Sequence, residues 1–362
     1  MAFHQILVSG APGDAITNQA FELRALLRRV GASEIFARHV HPSVSNEVHD
    51  LRAYAQVAEP DHSDVLIYHA SIGEPDVFDF LLARRERLVL VYHNISPSSA
   101  FRPYDETFAD LLDDGRRELV ALRDRTVLAL ADSMFNAQEL SALGYVDVRH
   151  TPLIVDPSAL LDVEPDVNLT GALDAIDGPV VLSVGQMLPH KRHDLTAQAF
   201  HVLGTYLEPS AHCFLVGKIR TSGYGPVLRQ YVRELNMPRL HINGSVSPEQ
   251  LAAYYRRADL FVTFSDHEGF CVPLLEAMAF DTPIVARAQP AIAETAGDAA
   301  LLIPCDDGSP ALGPELAAEA MLAVITDTEL RDHLVARGRE RLAHFDPDRS
   351  RSTFLLNLLD VA

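Results

Sequence analysis

The chain has 362 residues, 48% hydrophobic and 22% charged, a globular balance that excludes a largely disordered or collagen-like polypeptide and implies two domains rather than one core. Thirty Lys and Arg against 50 Asp and Glu leave a formal charge of −20, which makes the chain a poor candidate for a general nucleic-acid binder and favours a self-repelling, soluble protein. Cys213, Cys271 and Cys305 make neither a disulfide framework nor a CxxC knuckle, and no apolar run is long enough to span a membrane, so a cytoplasmic protein is expected.

Met1 to Gly10 lacks a basic leader region and reads as a first strand. The spacing predicts strands at Gln5–Ser9, Val65–His69, Leu88–Tyr92, Val127–Ala131 and Val146–His150, each short and bounded by turn residues. A helix is expected over Asn18–Val30, where Phe21, Leu23, Leu26, Leu27 and Val30 recur with helical spacing. Residues 156–178, rich in Pro, Gly and acids, read as a linker. A second series follows, with strands at Val180–Val184, His212–Val216, Leu240–Asn243, Leu260–Phe264, Pro283–Ala286 and Ala300–Ile303. Helices are expected at about 314–325, 329–343 and 348–360. Alternating strands and helices with apolar strands predict an α/β protein of two doubly wound, Rossmann-like domains, whose ligands bind at the carboxyl ends of the strands. The expected division is 1–170, 178–345, and a last helix, 346–362, that crosses back to the first domain.

The sharpest motif is Ser265 to Glu276, which leaves an apolar strand and opens a helix. Gly269 permits the tight turn, Pro273 suits the first turn of a helix, and Val272 is counted with the residues that bind the nucleotide sugar. The N–H groups of Gly269, Phe270 and Cys271 would then face outward as an anion site, with Glu268 before the turn and Glu276 placed to reach a sugar hydroxyl. The alternative is a strand–helix junction whose acids merely cap the helix. Gly185 to His193 forms a second such junction, in which Lys191 and Arg192 are placed to neutralise a diphosphate leaving group. The chain has only two lysines, and the other, Lys218, follows Gly217 at another predicted strand end. His190 and His193 are three apart, but no HExxH or matching carboxylates accompany them, so no metal site is expected. In the first half, the small-residue loop holding Gly10 and Gly13 precedes a helix, and His93 ends a strong strand, although a lone His is more often structural. There is no GxGxxG, GxSxG or Walker sequence.

Taken together, Glu268–Glu276, Gly185–Lys191, and the run from Gly244 through Val246, Ser247, Glu249, Leu251, Tyr254 and Tyr255 to Asp259 resemble the family 4 retaining glycosyltransferases of GT-B fold. Pro283–Ala286, His93 and Ala131-Asp132-Ser133 fit the same pattern. The strong part of the resemblance covers about residues 180–305. It implies that Glu268 and the backbone after it hold the donor sugar and its phosphate, that Glu276 accepts from the ribose, and that Lys191 binds the diphosphate. His93 and the Gly10–Gly13 loop would approach donor and acceptor from the first domain, and the segments around Gly217 and Val246 would surround the base. One departure is plain: five residues before Lys191 the family has Arg and this chain has Gln186, leaving Arg192 or Lys218 to compensate.

The implied activity is transfer of a hexose, with retention, from a nucleotide diphosphate sugar (UDP- or GDP-linked) to a hydroxyl acceptor, without a metal or resident cofactor. The alternatives are a nucleotide-sugar-binding module that has lost its chemistry, and a sugar-nucleotide epimerase. Peripheral contact with the inner face of a membrane would use Arg24, Arg28 and Arg29, or Arg84, Arg85 and Arg87. The acidity of the N-terminal half works against it.

Overall fold

The computed structural model describes residues 1–58, 62–219, 223–304 and 313–361. It divides into two units. The first comprises residues 1–99, 106–155 and 346–362, and the second residues 100–105 and 156–345.

The first unit holds a seven-stranded, wholly parallel sheet: β1 (Phe3–Gly10), β2 (Ile35–Val40), β3 (Val48–Asp50), β4 (Val65–Ala70), β5 (Arg87–Tyr92), β6 (Thr126–Ala131) and β7 (Val148–His150). Its order is β3-β2-β1-β4-β5-β6-β7, so the winding reverses between β1 and β4. Parallel strands covered by helices on both faces are apolar throughout, and every residue of β4 is buried. The helix Ala15–Leu27 starts three residues earlier than its apolar spacing suggests because Asp14 caps it, its Oδ2 accepting from the Thr17 N–H at 2.9 Å. It also ends earlier, leaving Val30 exposed. Val146 lies outside β7 and is fully exposed, which corrects the expected start of that strand.

The last helix, Pro347–Leu359, belongs to the first unit. Phe354 and Leu358 join the core formed by Phe3, Leu26, Val65 and Val89. Asn357 Nδ2 donates to Thr151 Oγ1 at 3.0 Å, and Arg149 pairs with Asp360 at 2.8 Å.

The second unit holds a six-stranded parallel sheet: β8 (Val180–Val184), β9 (His212–Val216), β10 (Leu240–Asn243), β11 (Leu260–Thr263), β12 (Ile284–Arg287) and β13 (Ala300–Ile303). Its order, β10-β9-β8-β11-β12-β13, reverses between β8 and β11. The expected linker is part of this unit and contains a helix, Val167–Asp174. Arginines hold it down: Arg256 Nη2 donates to the carbonyls of Leu161 (2.9 Å) and Val163 (3.1 Å), and Arg257 Nη2 to those of Ile176 (3.0 Å) and Gly178 (2.9 Å). Backbone carbonyls can be satisfied by distant arginines, which composition does not reveal. Cys213 and Cys271 are buried free thiols, and Cys305 lies outside the described residues.

One acid of the first unit makes its stability depend on pH. Glu118, on the helix Glu106–Leu122, is 8% exposed and accepts from the Glu74 N–H at 3.1 Å. Burial pushes its carboxyl up to about 7. The native state therefore keeps a proton that the unfolded chain has lost, and stability falls as pH rises from about 4.5 to about 7. Glu118→Gln, which can still accept from Glu74, should exceed the wild type in stability by up to about 3 kcal/mol at pH 8 and match it at pH 4. Denaturant melts across that range check this; a wild type as stable as the variant at pH 8 would contradict it.

Candidate functional site

In the second unit two loops leave the sheet at its switch point, one after β8 and one after β11. The neighbouring strands part there, which opens a crevice at their carboxyl ends. The β8 loop runs Gly185–Leu188 into a short 3₁₀ turn, Pro189–Lys191, and then the helix His193–Val202. Arg192 joins the two in a left-handed conformation (φ 50°). The β11 loop runs to the helix Val272–Ala279, entered through Cys271, also left-handed (φ 75°). The loops are tied together, since the Asp266 N–H donates to the His190 carbonyl at 2.8 Å.

That tie brings Lys191 onto Glu268. Lys191 Nζ lies 2.6 Å from both carboxylate oxygens. The Glu268 side chain is 7% exposed and that of Lys191 23%, so the lysine is the more open partner of the pair. Burial works to lower the lysine's pKa, but the Glu268 carboxylate outweighs it and holds the ammonium above its ordinary value. Two of its three protons face Glu268, and a third is left for a further acceptor. Among the described residues, the N–H groups of Gly269, Phe270 and Cys271 donate to no partner. They sit at the amino end of the helix Val272–Ala279, which has no side-chain cap. A cation and a set of unspent amides thus lie together, the usual elements of a phosphate site.

Glu276 lies one turn into the same helix. Tyr255, on the helix Pro248–Arg257, donates its hydroxyl to Glu276 Oε2 at 2.7 Å. Burial pushes the Glu276 carboxyl up, and the tyrosine hydrogen bond opposes it. The sequence places no role on Tyr255, since its partner is 21 residues away. Thr295 was also missed; its hydroxyl donates to the Phe270 carbonyl at 2.6 Å and fixes the turn.

Arg192 does not provide the open cation that its sequence position suggests. It pairs with Asp194 at 3.3 Å and Asp266 at 3.0 Å, and Asp266 is also held by Arg287. Lys218 is exposed and has no carboxylate partner among the described residues, so it is the free cation near this edge. Gln186 is exposed beside it in the same loop system, with the Met187 N–H donating to the Lys218 carbonyl at 2.9 Å. Val246 is half-buried after β10. His190 and His193 are buried, each with Nδ1 unpartnered. Burial pushes His190 well below its ordinary value, and burial with the Lys191 charge lowers His193 to about 3. Both are neutral core rings.

Gly217 makes the loop system possible. Its φ is +152°, and a Cβ there would lie 1.8 Å from the Gly185 carbonyl oxygen. Its N–H donates to the Asn243 carbonyl at 3.1 Å, so it cannot move aside freely. Gly217→Ala should cost about 3 kcal/mol or more and displace the β8 loop. A chemical-denaturation midpoint unchanged from wild type would contradict this.

In the first unit, Gly10 is buried against Val48, and Gly13 is exposed with φ +70°. The nearby Ala11 N–H donates to Thr17 Oγ1 at 3.1 Å, so that amide is already used. His93 follows β5. Its loop is fixed by Asn94 Nδ2 donating to Asn136 Oδ1 at 2.6 Å and by the Ile95 N–H donating to the Tyr92 hydroxyl at 3.2 Å. His93 Nδ1 lies 2.8 Å from Asp132 Oδ2, and Nε2 lies 2.8 Å from His69 Nδ1. His69 was not anticipated, although a histidine inside the apolar strand Val65–Ala70 is a signal of its own. Of the arginines considered for membrane contact, Arg24 pairs with Glu47, Arg28 pairs with Glu34, and Arg84 lies over Tyr54 and Phe80. No described helix is long and apolar enough to cross a membrane.

Two doubly wound parallel α/β units, the second with two loops tied together at its switch point, give a GT-B fold. Residues 174–341 match the family described as glycosyl transferases group 1. A 115-residue stretch is 36% identical to mannosylfructose-phosphate synthase of Agrobacterium fabrum, covering 30% of this chain and 25% of that one. The chain spans less than half the length of the curated relatives it matches. Among solved structures, sucrose-phosphate synthase from Thermosynechococcus elongatus superposes with a TM-score of 0.77 at 17% identity, over 100% of both chains. Anabaena HepE in complex with UDP and glucose superposes with a TM-score of 0.73 at 17% identity, again over 100% of both. At these identities the structures speak to the fold.

Proposed function

We propose that the protein is a retaining glycosyltransferase that moves a hexose from a UDP- or GDP-linked sugar to a hydroxyl acceptor. The observation that carries this reading is the Lys191–Glu268 pair, closed at 2.6 Å, beside the unspent amides of Gly269–Cys271. In this reading the diphosphate lies against Lys191 and those amides. Charge that develops on the leaving oxygen meets a fixed ammonium and a helix terminus, so the transition state gains more than the ground state. Glu268 orients the lysine and presents its carboxylate toward the sugar. Glu276, fixed by Tyr255, accepts from the ribose hydroxyls. Gly217 and Val246 border the base, and the Gly10–Gly13 loop and His93 serve the donor and acceptor from the first unit. The acceptor attacks from the leaving-group face, and the departing phosphate oxygen takes its proton. Lys218 stands in for the charge missing at Gln186, since Arg192 is committed to acids. No metal ion is required.

The test is incubation of the protein with UDP- and GDP-hexoses and a panel of hydroxyl acceptors, followed by NMR of the anomeric proton. A glycoside with the donor's anomeric configuration supports the reading, and an inverted product rejects retention. Donor consumed without acceptor would instead indicate an epimerase. The neutralised Arg192 and the uncharged Gln186 favour one second reading, a nucleotide-sugar-binding module without turnover. Binding with no product under any acceptor would support it.

A further inference from the structure

Two imidazoles stand end to end near the carboxyl edge of the first sheet. His69, on β4, is 1% exposed. Its Nδ1 is 2.8 Å from His93 Nε2, and its Nε2 is 2.9 Å from Gln5 Oε1 on β1. His93 Nδ1 is in turn 2.8 Å from Asp132 Oδ2. The ring planes differ by 7° and the centroids are 5.1 Å apart. With the nitrogens this close, the rings meet edge to edge in one plane, and a proton lies between them.

The partners dictate where the protons are. Gln5 Nε2 donates to the Ala20 carbonyl at 2.9 Å. A carbonyl only accepts, so the amide's NH₂ faces Ala20 and its Oε1 faces His69. That oxygen also only accepts, so His69 Nε2 carries a proton. The Asp132 carboxylate only accepts, so His93 Nδ1 carries a proton. The bond between the rings needs a third. Three protons on two imidazoles is one more than two neutral rings hold, and the Asp132 charge balances it. His69 spends its Nε2 proton on Gln5 and lies away from any carboxylate in this chain of contacts, whereas His93 rests on the Asp132 carboxylate, so the surplus proton belongs to His93.

We propose that His69 is a positioning residue that holds His93 as a doubly protonated ring, closed at both nitrogens, and thereby bars it from taking a proton from a bound substrate. An Asp–His pair with Nε2 open is a general base. Here His69 occupies the nitrogen that such a base would present. This deepens the transferase reading and rests on it for its kinetic consequence: His93 acts as a fixed positive charge backed by Asp132, and the acceptor proton goes to the leaving phosphate.

The experiment is ¹⁵N NMR of the full-length protein with labelled histidine side chains, at pH 7.5, for wild type, His69→Asn and His69→Phe. The His93 signals are assigned by their loss in His93→Gln. Wild type should show one ring with both nitrogens protonated. Asn at 69 keeps an acceptor oxygen near the old Nδ1 and should retain that signature. Phe removes the acceptor, and the signature should be lost. A bare ring nitrogen on wild-type His93 overturns the proposal, as does a doubly protonated His93 in a folded His69→Phe variant. If His69→Phe does not fold, the wild-type spectrum alone decides. These readings need no substrate, so they stand or fall apart from the transferase reading. With a donor and acceptor in hand, His69→Phe should lower kcat about tenfold at unchanged donor KM, and His69→Asn should recover most of it. Wild-type kcat in His69→Phe would remove the catalytic consequence.

Discussion

Lys191→Ala is expected to lower kcat about 10³-fold and to destabilise the fold at the same time. On the proposed reading the catalytic loss follows from removing the ammonium set against developing charge on the leaving diphosphate, where one preorganised donor is worth about 10²–10³ in rate. The loss of stability has a separate cause. Glu268 is 7% exposed on its side chain, and without Lys191 its carboxylate is left buried beside unpaired amides and no cation. Breaking one partner from a buried pair costs about 3 kcal/mol. The two effects can be pulled apart. Lys191→Met combined with Glu268→Gln removes both charges and should recover most of the stability while restoring no activity. Denaturant midpoints and steady-state rates on the same preparations check this. A Lys191→Ala variant with near-normal turnover would take the lysine out of the site. A double variant as unstable as the single one would mean that the pair's charge does not govern stability.

Glu276→Gln should have opposite effects on binding and on stability. The carboxyl is pushed up by burial, so at neutral pH the folded state strains to ionise a group that the unfolded chain ionises freely. Native protein binds more protons than unfolded protein above about pH 4.5, and stability therefore falls as pH rises through the folded carboxyl's titration. The amide has no such penalty and still accepts from the Tyr255 hydroxyl, so the variant's melting temperature should exceed wild type at pH 7 to 8 and match it at pH 4. Binding should move the other way. A hydrogen bond from a ribose hydroxyl to a carboxylate is worth about 1.5–3 kcal/mol, so the donor KM should rise about tenfold or more. The variant is then a more stable and weaker binder, as expected of a group retained for function at a cost in stability. Unchanged donor KM would remove Glu276 from the ribose position. Tyr255→Phe, which frees the carboxylate from its tether, should raise KM less than the Glu276 change.

The parts of the site that the sequence discloses are those written in one short segment. Lys191 and the Glu268–Glu276 block sit where an apolar strand stops and a helix begins, and Gly269 and Pro273 punctuate the turn. Parallel strands buried on both faces are near-continuous apolar runs, so β4, β5, β8 and β9 are visible directly. β2 escapes because Arg38 and His39 interrupt it, and their partners, Asp76 and Glu74, come from another part of the chain. β3 escapes because three residues carry no period. The neutralisation of Arg192 by Asp266 crosses 74 residues, and the hydrogen bond from Tyr255 to Glu276 crosses 21. Pairing of that kind depends on strand order, and strand order is set by packing rather than by any local pattern. The same holds for His69. Its residue type was legible within an apolar strand, but its meaning depends on β1, β4, β5 and β6 lying side by side.

On the proposed reading the carboxyl edge of the second sheet binds a nucleoside diphosphate through Lys191 and the Gly269–Cys271 amides. Calorimetric titration of the purified protein with UDP, GDP and ADP, without added metal, tests it most directly. Micromolar binding of UDP or GDP is expected, lost in Lys191→Ala and kept in His69→Asn. No heat with any of the three, or binding that survives Lys191→Ala unchanged, would contradict it.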